Sequence, residues 1–228
     1  MFELLFLDLD DTILDFHQAE RVAIAKTLSA FGLEPTEEVM QRYHVINKWH
    51  WEQLELGNLT RDQVLTQRFT MLLAEYGLTA DANACAKAYM DNLSQGHYFL
   101  PGALEAVQRL SKKYRLFLIS NGTSSVQRGR LDSAQLYPYF EEIFISHEIG
   151  VNKPAKGFFD ACFSRVKDFD PSKALIVGDS LSSDIRGGNN AGIPTCWVNA
   201  TGAACPKGIT ADYQIQSIAQ LEALLETM

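Results

Sequence analysis

The sequence contains few cysteines, prolines and glycines. Its 228 residues include only 4 cysteines, 7 prolines and 15 glycines. The cysteines are widely separated and form neither a CxxC pair nor a Cys/His pair, which argues against a zinc site and against a redox pair. They are Cys85, Cys162, Cys196 and Cys205. We therefore expect buried free thiols at these positions.

Basic residues are also scarce. The chain has 20 Lys and Arg residues against 28 Asp and Glu residues, which gives a formal net charge of -8. An acidic surface repels the phosphate backbone, so we expect no nonspecific binding to nucleic-acid polymers. If the substrate is an anion, the protein needs a cation in its site to overcome its own field.

A long apolar run is missing from the start of the chain. The first apolar run has only about five residues, it is interrupted by acids, and no basic segment precedes it, so it fits neither a signal peptide nor a membrane span. We therefore expect a cytoplasmic protein with no membrane partner.

Short apolar segments rich in strand-forming residues alternate with helical segments along most of the chain. Near-continuous apolar strands are typical of a parallel sheet that is covered on both faces. The alternation predicts an α/β fold with a doubly wound, mostly parallel sheet. The predicted strands are Leu4–Leu9, Leu116–Ser120, Ile143–Ser146, Ala174–Val177, Thr195–Val198 and Tyr213–Ile215.

Residues 15–98 interrupt this alternation. They contain no convincing strand, and turn signals separate four helical segments, two of which have Thr36 and Thr60 as candidate N-caps. We predict an inserted helical domain of residues 15–98 and an α/β core of residues 1–14 and 99–228. The predicted helices are Ala19–Phe31, Glu37–Leu54, Arg61–Glu75 and Asp81–Ser94.

Polar residues follow four of the predicted strands. The carboxyl ends of parallel strands meet at one edge of a sheet, where ligands bind. Two carboxylates about 4 Å apart repel by roughly 4 kcal/mol at an effective dielectric of 20, so a pocket with paired acids needs a cation or a proton. The strand-end residues are Asp8, Asp10, Ser120, Asn121, Lys153, Asp179 and Asp184.

These segments resemble the motifs of a known superfamily. DLDDT, ISNGT, the lysine of NKP and GDSLSSD together resemble the four motifs of haloacid dehalogenase superfamily phosphatases, and the helical insertion resembles the type I cap of that superfamily. The segments YHVINKWHW, NGTSSVQRGRL and NAGIPTCWVNA are similar to bacterial pyrimidine 5′-nucleotidases of the superfamily. The resemblance implies a Rossmann-like core with a helical cap and a small phosphorylated substrate.

The resemblance also implies roles for the residues that carry the chemistry. Asp8 would attack phosphorus and become an aspartyl phosphate. Asp10 would protonate the leaving alcohol and then activate the hydrolytic water. Ser120 and the amide of Asn121 would hold phosphoryl oxygens, and Lys153 would screen the nucleophile and the developing charge.

A magnesium ion is the cofactor that the resemblance implies. Mg²⁺ would be held by Asp8, Asp179 and the backbone carbonyl of Asp10, while Asp184 would order the surrounding shell. Oxygen ligands suit this hard ion. The oligomeric state stays open between a monomer and a homodimer.

Hydrolysis of a nucleoside 5′-monophosphate is the leading interpretation, with two alternatives. A sugar-phosphate phosphatase or phosphomutase of the same superfamily uses the same acids. From another class, a phosphoacceptor switch such as a response-regulator receiver also combines acids, a hydroxyl and a lysine, but it would need its acceptor on a middle strand, and LFLISN contains no aspartate. A dehalogenase is disfavoured because a halide leaving group does not need the acid that Asp10 provides.

The aromatic residues of the helical insertion and the histidines each have a structural and a functional interpretation. Trp49 and Trp51 project about 200° apart on a helix. We interpret both as packing residues, with the alternative that one of them, together with Asn47 or Lys48, faces a substrate base. The histidines show no metal-ligand spacing and are interpreted as structural or solvent-facing, with His17 a partial exception because it follows the first motif closely. Of these histidines, His17, His44 and His97 lie in the insertion, and His147 lies in the α/β core.

Overall fold

A computed structural model, which describes residues 2–227, shows a six-stranded parallel sheet. The hydrogen-bonded order is β3-β2-β1-β4-β5-β6, and each described pair of neighbours is parallel. The predicted α/β class and the doubly wound parallel sheet are confirmed. The strands are β1 (Leu4–Leu7), β2 (Arg115–Ser120), β3 (Glu142–Ile145), β4 (Ala174–Gly178), β5 (Thr195–Val198) and β6 (Tyr213–Ile215).

Helices connect and cover these strands. They are α1 (Phe16–Ala30), α2 (Glu37–Glu55), α3 (Arg61–Glu75), α4 (Ala82–Leu93), α5 (Ala103–Leu110), α6 (Ser124–Ser133), α7 (Ser146–Ile149), α8 (Lys156–Phe163), α9 (Arg186–Ala191) and α10 (Leu221–Glu226). The four helices predicted within residues 15–98 are present, with ends that differ by a few residues at most.

The central strand β1 explains why the strands are apolar throughout. Leu5 and Leu7 pack in a core cluster with residues of α5, α6 and α10, whereas Leu4 and Phe6 pack on the opposite face with residues of α8. Successive side chains of a strand point to opposite faces, so a sheet buried on both faces needs apolar residues at every position.

Two predicted strands end earlier than the sequence indicates. Beyond the end of β1, Asp8 still bonds to the neighbouring strand β4, because its amide donates to the carbonyl of Val177 at 2.9 Å. The chain then turns, and Asp11 adopts a left-handed conformation with φ of 55°. Ser146, predicted as the last residue of β3, begins α7 instead. The early end of β1 places the acids of the first motif in a turn beyond the sheet.

The chain divides into two compact units. One unit comprises Met1–Phe16 and His97–Met228, and the other comprises His17–Gly96. The first contains the sheet, and the second consists of helices.

The helical unit has its own aromatic core. The rings of Tyr43, Phe69 and Tyr89 lie 5.4 to 5.6 Å apart between centroids. The predicted N-caps are confirmed, since the hydroxyls of Thr36 and Thr60 accept hydrogen bonds from the third residue of α2 and α3, respectively. These caps satisfy amides that the first turn of a helix leaves unpaired.

One of the two tryptophans of α2, Trp49, differs from its sequence interpretation. Trp49 is 47% exposed, so it does not pack in the helical core. Trp51 is half-buried, and the guanidinium of Arg61 lies 5.5 Å from its ring centroid.

The cysteines form no disulfide bond. All four cysteines are free, as expected, and three of them are buried, whereas Cys205 is exposed.

Among residues 2–227, no helix is both long enough and apolar enough to span a bilayer.

Candidate active site

Three carboxylates meet beyond the carboxyl ends of β1 and β4. Asp8 follows β1, and Asp179 and Asp184 follow β4. One carboxylate oxygen from each residue lies within 4.8 Å of the others. Because β1 and β4 are adjacent and parallel, segments more than 160 positions apart in the chain supply one cluster.

A buried lysine joins this cluster. The ammonium of Lys153 donates to Asp8 Oδ1 at 2.7 Å, to Asp184 Oδ1 at 2.7 Å and to the carbonyl of Ile119 at 3.1 Å. An ammonium has three protons, so these acceptors account for all of its donors. Lys153 is only 1% exposed. Its position is therefore fixed by two charges and one main-chain oxygen.

Asn121 holds the backbone of the lysine. Its Nδ2 donates to the carbonyl of Lys153 at 2.9 Å, and its Oδ1 accepts from the amide of Lys153 at 2.8 Å. The side chain of Asn121 therefore ties the loop after β2 to the loop that contains Lys153.

Local backbone features position the acids after β4. A Cβ atom at Gly178 would collide with the carboxyl group of Asp184, so only glycine lets this carboxylate lie against the strand end. The amide of Ser180 donates to Asp184 Oδ2 at 3.1 Å, and the indole of Trp197 donates to the carbonyl of Asp179 at 2.8 Å. The hydroxyl of Ser180 caps the π-helical turn Leu181–Ile185 by accepting a hydrogen bond from the amide of Ser183.

Burial and charge shift the pKa values of the cluster. Burial raises the pKa of Asp8 to about 8; Lys153 opposes this shift, and Asp184 and Asp10 add to it. Burial also raises the pKa of Asp179 well above its ordinary range, and the charges of Asp8 and Asp184 raise it further. Burial lowers the pKa of Lys153, but the charges and hydrogen bonds of Asp184 and Asp8 together raise it by more. The lysine therefore stays charged while the acids resist full ionisation.

The cluster fits a divalent cation. Three carboxylates and one ammonium carry a formal excess of two negative charges when all are ionised. The raised pKa values of Asp8 and Asp179 show that the surroundings do not stabilise this excess. Carboxylate oxygens are the ligands that Mg²⁺ prefers. Asp8, Asp179 and Asp184 are therefore the residues that could hold such an ion.

Asp10 faces a second polar network. Its carboxylate pairs with the guanidinium of the buried Arg130 and accepts a hydrogen bond from Gln127 Nε2 at 2.7 Å. The same Nε2 donates to Ser120 Oγ at 2.7 Å, and the amide of Gly122 donates to that hydroxyl at 3.1 Å. Asp10 and Ser120 are thus linked by one side-chain amide.

The sequence interpretation missed Gln127 and Arg130. Both lie on α6, and their three-residue spacing puts them on one face of that helix. Gly122 matters for this arrangement because a Cβ there would collide with the side chain of Gln127. The segment NGTSSVQRGRL contains both residues, but its spacing alone does not show that this face is directed at Asp10.

The residues predicted from the sequence therefore fall into two linked groups. Asp8, Asp179, Asp184 and Lys153 form the acid-lysine cluster, and the side chain of Asn121 braces it. The remaining pair, Asp10 and Ser120, is joined through Gln127. Helix α6 begins at Ser124, directly after the second motif.

The fold and the cluster define a Rossmann-like α/β protein with a ligand site at the carboxyl ends of its parallel strands. Residues 5–198 match the family model of haloacid dehalogenase-like hydrolases. The chain belongs to this family and is a hydrolase of the haloacid dehalogenase superfamily.

Several named proteins resemble the chain over most of its length. YfnB of Bacillus subtilis (strain 168), which is named as a HAD-hydrolase, is 37% identical over 97% of this chain and 94% of its own. Pyrimidine 5′-nucleotidase PynA of Streptococcus pneumoniae (strain ATCC BAA-255 / R6) is 36% identical over 87% of this chain and 84% of its own. Pyrimidine 5′-nucleotidase YjjG of Escherichia coli (strain K12) is 32% identical over 97% of this chain and 96% of its own. The crystal structure of magnesium-bound YfnB superposes with a TM-score of 0.94, at 36% identity and 98% coverage of both chains.

Proposed function

We propose that the chain is a Mg²⁺-dependent phosphatase that hydrolyses small phosphate monoesters, with nucleoside 5′-monophosphates as its preferred substrates. The observation that carries this proposal is the buried cluster of Asp8, Lys153, Asp179 and Asp184 at the strand ends, beside the network of Asp10. It combines a carboxylate nucleophile, a fixed positive charge and a second acid.

The proposed reaction has two steps. A carboxylate oxygen of Asp8 attacks phosphorus, the bond from phosphorus to the leaving oxygen breaks, and Asp10 gives that oxygen a proton. Asp10 then takes a proton from water, which attacks the aspartyl phosphate, releases phosphate and restores Asp8. Lys153 holds the attacking carboxylate at 2.7 Å and offsets its charge, while Ser120 and the amide of Asn121 hold phosphoryl oxygens.

Magnesium supports this chemistry when bound. The ion would be held by Asp8, Asp179 and the backbone carbonyl of Asp10, and Asp184 would order the surrounding shell. It would neutralise phosphoryl charge and align the phosphoryl group with Asp8. The magnesium-bound structure of YfnB supports magnesium as the ion.

Nucleotide preference is supported by the relatives rather than by the cluster itself. PynA and YjjG are both named as pyrimidine 5′-nucleotidases. We propose that the helical unit, His17–Gly96, acts as the type I cap that selects the leaving group.

A panel of phosphate monoesters tests the proposed function. We expect steady phosphate release in Mg²⁺, with pyrimidine 5′-monophosphates hydrolysed at a higher kcat/KM than sugar phosphates, and loss of activity in EDTA that Mg²⁺ restores. Faster hydrolysis of sugar phosphates would refute the nucleotide preference but would still support the proposed phosphatase activity. Transfer of phosphate back to a sugar would indicate a mutase, and a single turnover would indicate a phosphoacceptor switch.

Gln127 is expected to position Asp10, and its replacement tests that role. The Gln127→Leu variant should lower kcat/KM for nucleotides, which reports the step in which the leaving oxygen takes a proton, by about 10- to 100-fold. This is less than the roughly 10²- to 10⁴-fold that general acid catalysis contributes, because Asp10 itself remains. The kcat/KM for p-nitrophenyl phosphate should fall much less, since nitrophenolate leaves without a proton. Gln108→Leu is the matched control, because it removes another side-chain amide whose partner is the hydroxyl of Tyr139. Equal losses for both substrates would contradict the positioning role.

A further inference from the structure

We propose that His17, Glu20 and His44 form a second metal site, which binds a divalent transition-metal ion such as Zn²⁺ within the helical unit. One ligand atom from each residue lies within 4.8 Å of the other two. His17 and Glu20 are three positions apart on α1 and so share one helix face. His44 comes from α2, and its ring centroid is 5.3 Å from that of His17. Because His44 comes from a different helix, the spacing of residues along one helix does not reveal the cluster.

The donor set matches transition-metal chemistry. Two imidazoles and one carboxylate are a common set for Zn²⁺, with a water molecule in the fourth position. Imidazole nitrogen favours Zn²⁺, Cu²⁺ and Ni²⁺ over Mg²⁺, so this site differs in preference from the all-oxygen cluster of Asp8, Asp179 and Asp184.

The carboxylate is already held in place. Glu20 is only 4% exposed, and its Oε1 accepts a hydrogen bond from Asn47 Nδ2 at 2.5 Å. Arg68 Nη1 in turn donates to Asn47 Oδ1 at 2.6 Å. This leaves Oε2 directed at His44 Nδ1, 2.7 Å away. Such outer hydrogen bonds orient metal-binding carboxylates and are part of built metal sites.

The cluster also has room for an ion and its water. His17, Glu20 and His44 line a cavity of about 240 Å³ between α1 and α2. His17 is exposed and His44 is half-buried, which gives an ion a route from solvent. Binding would replace the proton shared by Glu20 and His44 with a metal ion and would add His17 as a third ligand.

A competing explanation is that Glu20 and His44 form only an ion pair. In that case His17 is not needed and no metal is retained. The two explanations differ in metal uptake and in the effect of replacing His17.

Titration with Zn²⁺ in the presence of millimolar Mg²⁺ distinguishes them. The full chain should take up one equivalent of Zn²⁺ at this site, as measured by calorimetry. Its thermal unfolding midpoint should rise on binding. His17→Gln and His44→Gln should each weaken this binding at least about 10-fold, the effect seen even for residues around metal ligands. His17 is exposed, so His17→Gln is expected to stay folded, which circular dichroism checks.

Two further variants assign the bound ion. His97→Gln, which removes an exposed histidine of the other unit, should bind Zn²⁺ like the unmodified chain. Asp179→Asn should also retain the Zn²⁺ equivalent, because it disrupts only the candidate magnesium cluster. Failure of the unmodified chain to take up Zn²⁺, or unchanged binding in either His17→Gln or His44→Gln, would overturn the proposal. Phosphatase activity is not needed for any of these measurements, so they are independent of the proposed function.

Discussion

Replacing Asp8 by asparagine is expected to abolish phosphate release while the protein stays folded. Asparagine has nearly the same size and keeps an oxygen that can accept the hydrogen bond of Lys153, but its amide is not a nucleophile. Loss of a covalent nucleophile lowers turnover by about 10⁴-fold or more. The measurement is kcat for a nucleotide in saturating Mg²⁺, with circular dichroism to check the fold.

The stability of this variant adds a second test. Burial raises the pKa of Asp8 to about 8, well above the value of about 3.9 of an unfolded aspartate. A carboxyl group whose folded pKa is raised contributes stability that is lost as pH rises from its unfolded pKa to its folded pKa, so keeping Asp8 buried costs the metal-free protein stability at pH 7. A neutral amide removes this effect, and we expect a metal-free unfolding midpoint no lower than that of the unmodified chain.

Asp160→Asn is the matched control for Asp8→Asn. It makes the same chemical change at an exposed position of α8, where Asp160 pairs with Lys156. Its turnover should be unchanged. If Asp8→Asn retained substantial activity, another group would be the nucleophile and the proposed two-step reaction would be wrong.

The arrangement of the strand-end residues follows from physical rules that a sequence can reveal. Apolar runs of strand-forming residues fix a parallel sheet, and such a sheet places all strand carboxyl ends at one edge. That is why the sequence alone groups Asp8, Lys153 and Asp184. It is also why Lys153 lies 2.7 Å from a carboxylate oxygen of each acid despite their separation in the chain.

Other features depend on tertiary geometry that the sequence does not encode locally. The contact between Gln127 and Asp10 requires the axis of α6 to pass the first-motif turn at a particular distance. The same holds for His17 and His44, whose meeting depends on how α1 packs on α2. The early end of β1 depends on the conformation of Asp11, which a strand pattern does not show.

Replacing Lys153 by methionine is expected to remove both activity and much of the stability. Methionine is apolar and similar in length, so the main change is the loss of the charge between Asp8 and Asp184. Removing one partner of a buried ion pair destabilises a protein by roughly 3–5 kcal/mol, because the remaining charge has no compensation. We expect a loss of this size in the free energy of unfolding without Mg²⁺, together with loss of turnover.

The pH dependence of this loss identifies its cause. Lys153 lowers the pKa of Asp8, so its removal raises that pKa further above the unfolded value. Stability should therefore be better preserved at pH 5, where Asp8 is protonated, and should fall as the pH rises toward 8. Urea unfolding at the two pH values, in EDTA, measures this difference.

Matched variants separate charge compensation from simple packing. Lys156→Met removes an exposed lysine whose pair with Asp160 is solvated, and it should change stability by less than about 1 kcal/mol. The double variant Lys153→Met with Asp184→Asn removes one of the uncompensated carboxylates and should recover part of the lost stability. If the double variant were no more stable than Lys153→Met, the lysine would act mainly through packing. Recovery without any return of turnover would show that the same ammonium has two roles, in holding the acids together and in the proposed phosphoryl transfer.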